Sequence, residues 1–219
     1  MARPEVFIPK PAKTPSRINY DLESAIYTEK TTGKRVIWIP EDFIQSVLAV
    51  SSRMLRAGSP AMLYKMGFYW GEAMFKQLES HLLATRPSVK RILDMSVKDF
   101  VGFVDEVWAQ NGLGRFEVVQ NFDMILVNLY HSFVAQVAEK TGKPVDHLYA
   151  GLYAGLFSGL LGQKIACIEI MCISSGYDYC RFLLGKEEVL APVQEWVEQG
   201  LPYESILEKL QTLGDAPKA

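Results

Sequence analysis

The residues best suited to chemistry sit in one short stretch, Cys167-Ile168-Glu169-Ile170-Met171-Cys172, which continues through Ile173-Ser174-Ser175-Gly176-Tyr177-Asp178-Tyr179 to Cys180. Zinc draws its ligands from thiolate, imidazole and carboxylate, and Glu169, Cys172 and Cys180 offer three of the four it prefers. Ser174-Ser175-Gly176 signals a turn, so Cys172 and Cys180 can approach each other across a hairpin. Asp146 and His147 are the nearest candidates for a fourth ligand. Glu169 and Cys172 would face opposite sides of a regular strand, so a shared site requires a bulge or a strand end between them. The competing reading is a set of buried core thiols. Three cysteines are an odd number for a secreted disulfide framework and fit a reducing compartment.

Other reaction chemistry has little to stand on. No Gly-x-Gly-x-x-Gly follows a predicted strand, and the three histidines fall into no Ser/His/Asp spacing. A pocket for an apolar molecule is better provided for. Phe68, Trp70, Met74, Phe75, Trp108, Tyr149 and Tyr153 could line one, with His131 as a polar anchor or axial ligand, and each competes with a plain core role. Gly151, Gly155 and Gly159 recur every four residues on one helix face. Each glycine costs a helix interior about 1 kcal/mol, so close packing or room for a ligand beside Tyr149, Tyr153 and Phe157 must offset roughly 3 kcal/mol. Packing is the stronger reading of the stripe by itself.

The elements that would position these groups follow from pattern. Residues 1–20, rich in proline and charge, read as an arm. Two β-like runs, Ala25–Thr28 and Arg35–Ile39, form a hairpin across Thr31-Thr32-Gly33-Lys34. Pro40 opens a helix with Glu41 and Asp42 in its first turn, and Ser59-Pro60 reads as an N-cap and first position of another reaching about Leu83. A helix over Val97–Trp108 stops at Asn111-Gly112. Strands follow at Arg115–Val119 and Met124–Tyr130 with Gln120–Asp123 as the turn, then a helix from about Val145 to Leu161. Strands at Lys164–Cys172 and Tyr179–Leu184 precede helices at Glu187–Glu198 and Tyr203–Leu213. The expected fold is α+β, an antiparallel sheet packed against helices with an N-terminal hairpin arm. The division is an arm and hairpin over 1–39, a single ligand-binding domain over 40–213, and a disordered tail over 214–219.

Composition bounds the partners. Hydrophobic residues make up 49% of the 219 and charged residues 22%, ordinary for a globular chain. A net charge of -2 supplies no basic field, so nucleic acid is not an expected partner. Leu148–Leu161 carries no charge but has 14 residues, where a membrane span needs about 20, so no transmembrane segment is expected. Met1–Lys13 holds charges and prolines where a secretion signal needs an apolar run, and a cytoplasmic protein is expected.

Taken together these residues resemble the 4-vinyl reductase domain family, from about Met62 to Leu184. The resemblance is carried by Gly67-Phe68-Tyr69-Trp70-Gly71, Gly112-Leu113-Gly114-Arg115, and the strand ending in Asn128 and Ser132. The Gly151/Gly155 helix and the ending Glu169-x2-Cys172-x7-Cys180-Arg181-Phe182 complete it. It implies an α/β domain, usually dimeric, that encloses an apolar pocket, and therefore a homodimer here. It also implies zinc held by Cys, Glu, Cys and Cys in the aromatic-sensing members. Glu169, Cys172 and Cys180 match the last three, and Asp146 stands at the first cysteine's position, 23 residues before Glu169. A hard oxygen in place of thiolate weakens such a site. Cys167 is outside the pattern and reads as core. The leading functional reading is a binding protein for an apolar ring-containing ligand, either a tetrapyrrole such as a chlorophyll precursor or an aromatic compound, which could serve photosynthetic pigment handling or assembly. The alternatives are an enzyme of (bacterio)chlorophyll synthesis that reduces a vinyl group, and a non-catalytic assembly or tethering subunit.

Overall fold

The computed structural model describes residues 5–7, 18–30, 33–121, 124–138, 140 and 142–214. The chain begins with β1 (Glu5–Phe7), β2 (Ile18–Asp21), β3 (Ile26–Glu29) and β4 (Arg35–Val36). Helices α1 (Glu41–Leu55), α2 (Ser59–Thr85) and α3 (Val97–Gln110) follow. Next come β5 (Arg115–Asn121), β6 (Met124–Tyr130), α4 (Phe133–Val137) and α5 (His147–Leu161). The chain closes with β7 (Ala166–Met171), β8 (Cys180–Gly185), α6 (Glu187–Glu198) and α7 (Tyr203–Gly214).

The main sheet is antiparallel, in the order β1-β5-β6-β8-β7, and carries helices on both faces. Period-two alternation sorts its side chains between two cores. Phe116, Val118, Val127, Leu129, Phe182 and Leu184 face the larger core, built with α2, α3 and α5. Val119, Leu126, Ile170 and Leu183 face the smaller one under Leu190 and Val193 of α6 and Ile206 and Leu210 of α7. The expected α+β class holds, and so does the hairpin, which gains a third strand: β2, β3 and β4 form their own antiparallel sheet. Within the residues read as an arm, Glu5–Phe7 pairs with β5 at the edge of the main sheet, so this stretch adds main-chain hydrogen bonds to the domain. The turn residues 31–32 and 122–123, most of the arm, and 215–219 of the expected tail lie outside the described residues, while Gly214 ends α7.

Ser59 is not a cap. A short 3-10 turn, Arg56–Gly58, runs directly into α2, Gly58 takes the N-cap position, and the Ser59 hydroxyl pairs at 3.0 Å with that of Ser51 in the buried α1–α2 corner. Pro60 stands in the first turn as expected.

The glycine stripe of α5 meets a second stripe on α2. A β-carbon on Gly151 would lie 2.0 Å from the Tyr64 carbonyl oxygen, and one on Gly155 2.1 Å from that of Phe68. Reciprocally, one on Gly67 would lie 2.0 Å from the Leu148 oxygen and one on Gly71 2.1 Å from that of Leu152. Contact positions rise together along both helices, so α2 and α5 run parallel with their backbones touching. Small residues every fourth position permit this approach, and Cα–H groups then meet carbonyls across the seam. The stripe is packing, with the ring of Phe75 lying over Gly159.

α1 is poorly covered. Ser51 is its single buried residue, and Phe43, Val50, Met54 and Leu55 stand exposed, as do Ile37, Trp38 and Ile39 just before it.

Candidate functional site

The register between β7 and β8 slips after Glu169: Glu169 pairs with Phe182, and Met171 with Arg181. Cys172 follows β7 directly and leads into a 3-10 turn, Ile173–Ser175, that Gly176 closes at φ +94°. The slip and the strand end together put Glu169 and Cys172 on the same side, the requirement set by their spacing. The chain returns at Cys180, the first residue of β8. Glu169, Cys172 and Cys180 are buried, and one ligand atom from each lies within 4.8 Å of the others. The two sulfurs are 3.8 Å apart and the thiols are free.

The hydrogen bonds around this triad are unevenly filled. Glu169 Oε2 accepts the Asp146 N–H at 2.7 Å, while Oε1 is buried with no hydrogen-bond partner among the described residues. The Ser174 hydroxyl lies 2.9 Å from Cys172 Sγ. Asp146 is buried too, but it is not a member of the triad. Its carboxylate caps α5 by accepting the Tyr149 N–H at 3.1 Å, and its other oxygen accepts the Ser132 hydroxyl. Burial pushes the Asp146 carboxyl up to about 7, against the opposing bond from Ser132. Burial also raises Glu169, with the charge of Cys172 beside it. Donation from Cys180 lowers Cys172 to about 5, and the same bond, followed by burial, raises Cys180. Buried acids that must share protons make an enclosure a divalent cation would relieve, and two sulfurs with a free carboxylate oxygen suit a borderline-soft ion.

A cleft of about 820 Å³ opens beside the triad. Tyr64, Lys65 and Phe68 of α2 form one wall, Lys143, Pro144, His147 and Ala150 a second, Lys164–Glu169 the floor, and Gln194, Val197 and Glu198 of α6 the far side. Glu169 thus belongs to both cleft and triad. The Tyr64 hydroxyl, pushed up to about 12 by burial, accepts the Cys167 N–H at 3.4 Å, and burial lowers His147 and keeps it neutral. Burial also raises the Cys167 thiol, so it stays protonated.

Of the eight residues expected to line a pocket, Phe68 lines this cleft. Trp108, Tyr149 and Tyr153 are fully buried against one another and against Phe116, Phe133 and Phe182. Met74 is buried core, and Trp70 and Phe75 pack half-buried against it. His131 is exposed past the end of β6 at φ +61° and away from the cleft. Tyr64, four residues before Phe68 and so on the same helix face, is the lining residue that spacing could have flagged.

A family comparison falls on this region. Residues 125–186 match the family model of the 4-vinyl reductase domain, a span from β6 through α5 to the residue after β8 that includes Asp146 and the whole triad. The match is confined to this segment, under half of the chain. No curated protein sequence matches the chain. In fold it is similar to the phenol-responsive sensory domain of the transcription activator PoxR, crystallised with phenol. The TM-score there is 0.58 at 18% identity, over 77% of this chain and 84% of that one. It is also similar to a trafficking protein particle complex subunit 3 from Naegleria fowleri, covalently bound to palmitic acid, with TM-score 0.49 and 16% identity over 66% and 92%. A vinyl-4-reductase family protein from Methanocaldococcus jannaschii gives TM-score 0.47 and 15% identity over 68% and 83%. Around the matched segment, α2 supplies the parallel helix that α5 needs and α6 the cleft's far wall. Among the described residues no helix is long and apolar enough to cross a membrane.

Proposed function

We propose that this protein binds a small, largely apolar, ring-containing molecule in the cleft between α2, α5, β7 and α6. The cleft carries the reading: at about 820 Å³ it falls within the range of roughly 300–1,000 Å³ usual for ligand sites, with largely apolar walls among which Lys65, Lys143, Lys164, Glu187 and Glu198 supply charged groups. The fold shared with PoxR's phenol-responsive domain supports a small-molecule role. A simple phenol stands at the small end of this ligand class and a tetrapyrrole such as a chlorophyll precursor at the large end. Titration calorimetry with 2-naphthol tests it. Ala61→Phe, on an exposed position at the cleft's edge, should weaken binding about tenfold with the melting temperature unchanged. Equal affinity in the variant would place the ligand elsewhere.

Glu169, Cys172 and Cys180 are the residues that would hold zinc, whose charge would keep both sulfurs as thiolates and fasten the β7–β8 turn to the start of α5. Asp146, in the position expected of a fourth ligand, orients Glu169 through its N–H and caps α5. The protein forms a homodimer, and the interface lies on α1 and Ile37–Ile39, because Trp38 is 67% and Met54 77% exposed among apolar residues. Light scattering should give twice the 24.7 kDa chain mass. Phe43→Lys with Met54→Lys should return it to one.

A further inference from the structure

The segment 143–147 is both a wall of the cleft and an attachment of the triad. Lys143, Pro144 and His147 line the open volume. Two links tie the same stretch to the ligand atoms. The Ser174 hydroxyl lies 2.9 Å from Cys172 Sγ and 3.0 Å from the Lys143 carbonyl, and its one proton is shared between these two acceptors. The Asp146 N–H donates to Glu169 Oε2 at 2.7 Å. Between Gly142, at φ +72°, and the first turn of α5 no helix or strand holds these residues, so the two links help to place them, beside the Asp146–Ser132 bond, the contact of Lys143 Nζ with the Glu198 carbonyl and the packing of Val145 on the core. Two of the three groups an ion would fix, Cys172 and Glu169, anchor them.

We propose that ion binding at Glu169, Cys172 and Cys180 and ligand binding in the cleft are positively coupled through the 143–147 segment. The proposal rests on the cleft reading above. An ion that holds Cys172 and Glu169 in one arrangement orders the backbone hung from them. A ligand against Lys143, Pro144 and His147 then no longer has to order that wall itself. A ligand seated on the wall in turn presents the two ion ligands in their bound arrangement. Reciprocity requires the same factor in both directions.

The test titrates 2-naphthol into zinc-loaded protein and into protein stripped by a chelator, with circular dichroism checking that both are folded. Zinc should tighten 2-naphthol about tenfold, within the usual span of coupling energies. Zinc affinity, read by competition with a chromophoric chelator, should rise by the same factor when 2-naphthol is saturating. This second arm starts from the loaded protein and decides the matter if the stripped protein unfolds. Ser174→Ala cuts the Lys143 link and leaves the three ligands in place. At saturating zinc it should keep one equivalent by elemental analysis while the mutual tightening shrinks towards unity. Equal 2-naphthol affinity in folded loaded and stripped protein, or zinc affinity indifferent to 2-naphthol, overturns the coupling and leaves the cleft reading standing. Undiminished coupling in Ser174→Ala overturns the assigned route. Absence of 2-naphthol binding in every state removes the cleft reading and the coupling with it.

Discussion

Two regions of this molecule are rich in aromatic rings, and only one of them is open. Around Tyr153 the rings answer one another: Trp108 lies 6.0 Å away, Phe116 and Tyr149 5.9 Å, and Phe182 5.0 Å, spacings at which aromatic pairs attract and fill space. Tyr64 and Phe68 on α2 stand instead half-buried at the edge of an 820 Å³ cleft. The difference originates at the glycine seam. Because α2 and α5 touch backbone to backbone, no ring fits between them, and the rings of both helices are displaced to the flanks. Those of α5 fall against the sheet and are enclosed. Those of α2 fall where its first turns, β7 and α6 leave a gap. An aromatic composition therefore marks a core as readily as a pocket, and the position of the backbone decides between them.

The seam is the place to break this comparison most forcefully. Gly155→Leu would drive a side chain into the Phe68 carbonyl, which cannot yield without parting the helices. Overpacking of this kind should cost about 3 kcal/mol or more, read as a fall in thermal and urea midpoints. Gly155 does not line the cleft, so the loss of stability should exceed any loss of 2-naphthol affinity, which reaches the cleft only through the displaced Phe68 backbone. Lost affinity at unchanged stability would instead make the seam part of the pocket.

The triad sharpens the comparison, because it touches both regions. Cys180→Ser removes one of the three ligands, so zinc should fall below a tenth of an equivalent by elemental analysis. Stability should drop by about 2.7 kcal/mol at free zinc a hundredfold above its Kd, since the ion stabilises only the folded form. Cys167→Ser, with its thiol on the cleft floor and outside the triad, should retain the metal. Equal zinc in wild type and Cys180→Ser would leave Cys172 and Cys180 as ordinary core thiols.

What could be read from the sequence divides along the line between local and distant. The strands at 115–130 and 164–185 and the last two helices are legible because period, turn residues and caps are short-range signals. The bulge between Glu169 and Cys172 is legible as a necessity, since two ligands three residues apart on a strand cannot otherwise share a site. The partner of the Gly151/Gly155 stripe is not. Gly67 and Gly71 belong to α2, far away in the chain, and nothing local pairs them. Ser59 reads as a cap because its type fits, yet the 3-10 turn before it moves the cap to Gly58 and leaves its hydroxyl for Ser51. The short helix α4, capped by Ser132, is too brief to show a period. The cleft draws its lining from separate segments, so its residues carry no common spacing.

The smallest effect, and the finest test of the contrast, concerns two tyrosine hydroxyls one turn apart on α5. Tyr149 donates to the Leu113 carbonyl at 2.7 Å, whereas the Tyr153 hydroxyl and the Trp108 indole N–H are buried with no hydrogen-bond partner among the described residues. A buried polar group left unpaired costs about 1–3 kcal/mol, while a satisfied bond contributes about 1 kcal/mol net. Tyr149→Phe should therefore lower stability by about 1 kcal/mol, because it strands the Leu113 carbonyl. Tyr153→Phe removes an unpaired group and keeps the ring stacked on Trp108, so stability should hold or rise by up to about 1 kcal/mol. Urea unfolding of the two single variants makes the comparison, with 2-naphthol affinity measured alongside. If Tyr153→Phe is the more damaging of the two, or if it weakens 2-naphthol while Ala61→Phe does not, the enclosed rings around Tyr153 hold the ligand. The open cleft would then be a surface feature of the fold.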